Sequence, residues 1–232
     1  MRLMFIAVVS SAAVAGSAAA QTPIGASGFA IENSATIVSD YRFRGVSLSD
    51  EKPALQLEST VSHDSGLYAG AFTSTIEEYG VDADGDGAMA EVDISAGWAF
   101  SFAGFDVDAG AVAYLYPDAS NVNYYVAPVS ISRAFGAWSV TAGYEYTPAQ
   151  RSLADLDGDY VWFGASWESD SLPISFTASV GREEGAWAPE GKTDWLVGAH
   201  HSIDRFDLGL SWTGADGADK GSALIAELRS NF

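Results

Sequence analysis

The sequence predicts an all-β fold, a transmembrane antiparallel up-and-down β-barrel of about twelve strands, and three observations lead there. From Ala35 onward, segments of about ten residues alternate apolar and polar side chains with period two. Clusters of Gly, Asp, Asn, Ser and Pro separate the segments, and the links are by turns short and long. After the first twenty residues, no stretch approaches the roughly 18 uninterrupted apolar residues of a spanning helix. A membrane-crossing chain of this kind must close into a barrel, because only helices and barrels satisfy every backbone polar group without water.

The N-terminus comes first. Arg2 precedes an apolar run from Leu3 to Val14, and Gly16-Ser17-Ala18-Ala19-Ala20 follows. A positive start, a short apolar stretch and an A-x-A ending predict a signal peptide over residues 1–20, cleaved before Gln21. Export then leaves 212 residues of the 232, enough for one domain. Residues 21–34 are expected as a periplasmic segment and 35–232 as the barrel.

Strands are expected near 35–43, 54–63, 67–77, 91–102, 105–116, 123–133, 138–147, 159–168, 174–183, 193–202, 205–213 and 221–232. The clearest pattern sets Trp138, Val140, Ala142, Tyr144 and Tyr146 against Ser139, Thr141, Gly143, Glu145 and Thr147. Short links such as His63-Asp64-Ser65-Gly66, Ala103-Gly104 and Ile203-Asp204 alternate with long ones at 44–53, 78–90, 117–122, 148–158, 184–192 and 214–220. Outer-membrane barrels have short periplasmic turns and long outer loops, so an even strand count places both termini in the periplasm. Aromatics fall at both strand ends, as girdles at the headgroups require: Tyr68, Phe102, Phe105, Trp138, Trp167, Phe206 and Phe232 by the short turns, Tyr41, Phe43, Tyr146, Trp195 and Trp212 by the long loops. A terminal Phe232 closing an alternating strand resembles the signal read by barrel assembly machinery, with Ser230 departing from that pattern. A secreted β-sandwich is the rival fold, since its strands share the same period.

The stretch Ser39 to Trp98 resembles the TorF family of porins. The resemblance is carried by Ser39-Asp40-Tyr41-Arg42-Phe43-Arg44-Gly45-Val46-Ser47, by Ser49-Asp50 and Lys52-Pro53-Ala54, by Ser62-His63-Asp64-Ser65-Gly66-Leu67-Tyr68-Ala69-Gly70, and by Glu91-Val92-Asp93-Ile94-Ser95-Ala96-Gly97-Trp98. It implies an outer-membrane barrel with a proposed pore, and no known solute.

Charge narrows the function. A net charge of −20 excludes the basic footprint of a nucleic-acid partner and argues against docking on anionic lipid. A charge on the lipid face costs about 2–4 kcal/mol at mid-bilayer for Arg or Lys. Alternation and that cost place Arg42, Glu58, Asp93, Asp108, Glu145, Glu168, Arg182, Asp207, Glu227 and Arg229 in the interior. They either line a narrow, cation-favouring channel or pair across the lumen and plug it. Arg42, Arg44, Glu58, Asp93 and Glu145 are the expected selectivity residues. The leading expectation is passive diffusion of small polar solutes or cations. The alternative is a closed structural or adhesive barrel acting through acidic outer loops.

Other chemistry is thinner. Asp82-Ala83-Asp84-Gly85-Asp86-Gly87 has the opening spacing of a calcium loop, but its twelfth position is Asp93 on a strand, and Asp155-Leu156-Asp157-Gly158-Asp159 is similar. Both also read as ordinary Asp-Gly turns. His200 and Ser202 have the spacing of a strand-borne base and nucleophile, yet alternation turns them inward and no third group completes the set. No catalytic residue, cofactor or metal is expected. Outer-membrane lipid, the assembly machinery and an unspecified small solute are the expected partners.

Overall fold

The computed structural model describes residues 22–24, 27–81, 85, 87–168, 171–217 and 221–232. The expected signal peptide lies outside them. Twelve antiparallel strands close a barrel: β2 Phe29–Val38, β5 Ala54–His63, β6 Leu67–Tyr79, β7 Ala88–Phe102, β8 Phe105–Leu115, β9 Tyr124–Phe135, β10 Trp138–Gln150, β11 Leu156–Glu168, β12 Ile174–Gly185, β13 Ala188–Ile203, β14 Phe206–Ala215 and β15 Ala223–Asn231. Each pairs with its neighbour in sequence, and β2 pairs with both β15 and β5, which shuts the ring. A two-residue strand, β1 Thr22–Pro23, continues along β2 beyond the point where β15 stops. A short hairpin, β3 Arg42–Phe43 with β4 Val46–Ser47, stands apart from the ring. Among the described residues no helix is long and apolar enough to cross a membrane.

The burial pattern is inverted relative to a soluble protein. Leu55, Val129, Phe163, Leu210 and Trp212 are exposed on the outside, while Glu91, Asp93 and Ser74 are the largest fully buried side chains. Apolar surface is stable outside only where the surroundings are themselves apolar. A β-sandwich would bury the opposite face, so the rival fold is overturned.

Strand ends differ from expectation at the first strand and around the long links. The first strand begins at Phe29 and ends at Val38 instead of spanning 35–43, because the chain after Ser39 leaves the wall and turns inward. Three of the six long links, at 78–90, 148–158 and 184–192, are shorter than they read. The link at 184–192 is a two-residue turn, with Gly185 at φ +91° and Ala188 already paired to it. Polar residues there extend strands beyond the apolar belt, where no lipid demands alternation. The start of β2, the end of β15 and the short turns lie at one end of the barrel, the longer loops at the other.

Candidate functional site

The site lies at the long-loop end, where residues 40–49 fold into the barrel. Asp40 organises this segment. Its Oδ2 accepts from Arg42 Nε at 2.6 Å, and its Oδ1 accepts from Ser47 Oγ at 2.6 Å and Ser49 Oγ at 3.2 Å. Ser49 Oγ also accepts the Tyr41 N–H at 2.8 Å, and the Leu48 N–H bonds back to the Tyr41 carbonyl. The turn is Arg44-Gly45, both at positive φ (+48° and +78°), the geometry that lets a two-residue turn follow strand twist. A Cβ on Gly45 would lie 2.3 Å from the Gly214 carbonyl carbon, so the tip is seated against β14.

From that seat, side chains reach across the mouth. Arg44 Nη2 donates to Glu145 Oε2 on β10 at 2.7 Å, and Nη1 donates to Glu183 Oε1 on β12 at 2.5 Å. Its guanidinium lies 3.9 Å from the ring centre of Tyr160 on β11, and only 7% of the side chain is exposed. Burial alone would lower the Arg44 pKa, but the carboxylates of Glu145 and Glu183 more than reverse that and hold it above its ordinary value. Lys192 Nζ reaches the other Glu183 oxygen at 2.6 Å, and Tyr160 Oη donates to Asp194 Oδ1 at 3.0 Å.

The opposite wall holds the rest of the segment. Tyr41 Oη and Tyr116 Oη donate to the two oxygens of Glu91, at 2.6 and 2.7 Å. Tyr41 packs near Phe72, Phe43 meets Tyr114 edge-on, and Tyr114 stacks on Tyr124 with centroids 4.5 Å apart. Val38, Ile76, Val112, Val126, Leu153 and Ile225 complete an apolar core inside this half of the barrel. Towards the short-turn end the inner wall changes to small polar residues, among them Ser95, Ser130, Ser132, Thr141 and Ser175. Charges there pair along the wall: Arg229 with Glu58 at 3.1 Å, Tyr68 Oη with Asp108 at 2.9 Å, and Asn231 Nδ2 with Asp207 at 2.8 Å.

Of the five expected selectivity residues, Arg44 and Glu145 meet directly. Glu58 lines the lumen with Arg229, and Asp93 is fully buried on β7 opposite Tyr114. Arg42 is instead a brace within the loops, bonded to Asp40 and to the carbonyls of Gly45 and Gly221. Arg182 is not interior: it shares the outer face with Phe176 and Val180 and pairs with Glu184. Glu183, the next residue, takes the inner place that continuing the alternation from Ser175, Thr177, Ser179 and Gly181 assigns it. Tyr41 and Phe43 belong to the inner core and Tyr68 to the lumen wall, so these three are not girdle aromatics. Sequence reasoning also missed Asp194 and Tyr160.

Asp82, Asp84 and Asp86 lie outside the described residues. In the similar loop, Asp159 accepts from Tyr144 Oη on the outer face, and among the described residues no three His, Cys, Asp or Glu side chains are placed for a metal. His200 and Ser202 face the lumen as expected. His200 Nδ1 lies 3.4 Å from Glu227, while Ser202 Oγ donates to Asp207 at 2.5 Å.

A family model described as a bacterial protein of unknown function (Gcw_chp) matches residues 22–228. No curated protein matches the sequence. Among solved structures, the NanC porin in a rhombohedral crystal form is similar with TM-score 0.57 and 13% identity, covering 87% of this chain and 98% of that one. A structure from a study of in-meso crystallisation of membrane proteins gives TM-score 0.57 at 7% identity, over 87% and 83%. An outer-membrane channel from Pseudomonas putida F1 covers 88% and 94% at 10% identity, with TM-score 0.49. At such identities the likeness concerns the fold: a porin-like barrel whose apolar exterior suits the outer membrane.

Proposed function

This chain belongs to the bacterial Gcw_chp family, and from its barrel and the pore that the TorF resemblance implies we propose a passive outer-membrane channel, whose inner wall suits small polar solutes, cations above all. The supporting observation is the inner wall. Glu58, Glu91, Asp93, Asp108, Glu145, Glu168, Glu183, Asp194, Asp207 and Glu227 face inward, against which, among the described residues, Arg44, Lys192 and Arg229 pair with inner-wall carboxylates. An acidic lumen of low dielectric concentrates cations and repels anions. The short-turn end faces the periplasm, and the inward hairpin narrows the outer mouth.

Planar-bilayer recording across a salt gradient tests this reading. Discrete steps with a cation-shifted reversal potential are expected, and Glu58→Gln, Asp93→Asn and Glu145→Gln together reduce that shift. An unchanged preference removes these three from selectivity. A second reading draws on the apolar core and hairpin that fill the mouth: a closed barrel acting through its outer loops. It predicts a stably inserted protein that passes neither current nor a small sugar into liposomes.

A further inference from the structure

The groups around Arg44 form a receptor whose occupant the chain itself provides. Glu145, Glu183, Tyr160 and Asp194 come from four adjacent strands, β10 to β13, so the wall positions them independently of the hairpin. Two carboxylates meet two guanidinium nitrogens, at 2.7 and 2.5 Å, and an aromatic face lies 3.9 Å below the guanidinium carbon. That is the constellation by which proteins recognise guanidinium and ammonium ligands in general. Asp194, buried to 6% exposure, has a second oxygen that accepts no hydrogen bond from the described residues, so the wall offers more acceptor capacity than Arg44 uses.

The occupant is held differently. Arg44 sits at a positive φ on a turn between two-residue strands, and its hairpin is joined to the wall by side chains, by the tip's contact with Gly214 and by a single backbone bond from the Glu77 N–H to the Leu48 carbonyl, not by a strand ladder. We infer that the β10–β13 wall is a binding site for small organic cations bearing a guanidinium or primary ammonium group. Arg44 is its internal ligand, and a solute of this class displaces Arg44 to enter. The inference rests on the channel reading and gives it a solute class.

The probe is agmatine, which carries both groups, titrated calorimetrically into the detergent-solubilised full barrel. Arg44→Gln frees the site. A site almost always occupied by its own ligand shows a correspondingly reduced apparent affinity, so the variant binds agmatine about tenfold more tightly or better. Adding Glu145→Gln or Glu183→Gln removes that gain, and Arg44→Lys, which keeps a cation in place, shows little of it. Tetramethylammonium, lacking N–H donors, does not bind. Should Arg44→Gln fail to fold, Gly45→Ala unseats the tip without altering any ligand group and shifts agmatine affinity in the same direction. Equal agmatine binding in wild type and in the unseated variants, or a gain that survives Glu145→Gln, overturns the inference. A barrel that conducts potassium but ignores agmatine loses this site and keeps the pore; one that binds agmatine and conducts nothing keeps the site and loses the pore.

Discussion

Removing the Arg44 charge should release the hairpin without unfolding the barrel. In Arg44→Gln, Glu183 keeps Lys192 at 2.6 Å, but Glu145, 13% exposed, loses its ion-pair partner. Truncating one partner of a buried pair costs about 3–5 kcal/mol, and the contact with the Tyr160 ring is lost besides. Lys192 and the remaining amide donor of Gln offset part of this, so the cost falls at the low end, about 3 kcal/mol. That penalty applies to the seated hairpin alone, because an unseated one leaves Glu145 accessible to water. At 1.4 kcal/mol per decade, the open-to-seated ratio rises about 100-fold. Amide hydrogen exchange reads this directly. The Leu48 N–H bonded to Tyr41 and the Glu77 N–H bonded to Leu48 report the seated state, at 2.7 and 2.8 Å. Exchange at Leu48 should accelerate about 100-fold, while the central amides of β12 and β13 stay protected to the global limit. Hairpin exchange within about threefold of wild type, or equal acceleration in strands and hairpin, would show that Arg44 does not hold the seat.

Four other outcomes follow from the same geometry. Gly45→Ala places a methyl group 2.3 Å from the Gly214 carbonyl carbon at a φ of +78°, so hairpin exchange should rise with every ion-pair partner intact. Phe72→Ala opens a cavity beneath Tyr41 and should cost about 3–5 kcal/mol, read as a lower temperature of conversion from the folded to the unfolded band on a detergent gel. Leu210→Arg puts a charge on the lipid face near the middle of β14 and should cost about 2–4 kcal/mol in urea titration of vesicle-inserted protein, whereas Ser211→Arg, facing the lumen, should cost less. Equal penalties at these two adjacent positions would contradict the assignment of faces. Glu58→Gln should weaken the hold on Arg229 and reduce cation preference, measured as a smaller reversal potential in a salt gradient.

The wall was legible in the sequence because a lipid-facing strand obeys one strict rule. Leu208, Leu210 and Trp212 must face out and Asp207, Ser211 and Thr213 must face in, and the pairing keeps that order through β14. The rule weakens beyond the apolar belt, where both faces meet water or loops. There the strands ran on unseen from Gly185 and Ala188, and Arg182 was assigned inward although the parity of Phe176 and Val180 already placed it outside. The site was half legible. Arg44 and Glu145 stood out as interior charges, but nothing local says that a loop re-enters the barrel. That depends on contacts between residues 101 and 139 positions apart, which period and composition do not encode. One signal was present: the run from Asp40 to Ser49 that carries the TorF resemblance is the run that builds the inward hairpin.

Why the loop enters follows from the width of the ring. Eight strands enclose a lumen that wall side chains can fill, and far larger barrels leave an open channel. Twelve strands lie between, so wall residues alone leave space at the mouth, and the chain folds residues 40–49 of the link after β2 into it. Two kinds of contact then divide the work. Tyr41 and Phe43 on Phe72 and Tyr114 supply burial, which favours insertion but tolerates several orientations. Arg44, spanning Glu145 and Glu183 while resting on Tyr160, adds little net stability after desolvation but accepts one geometry only. The apolar contacts bring the hairpin in, and the ion pairs fix its register. A plug whose position depends on exchangeable charges can be displaced by a competing cation, whereas one held by packing alone could not.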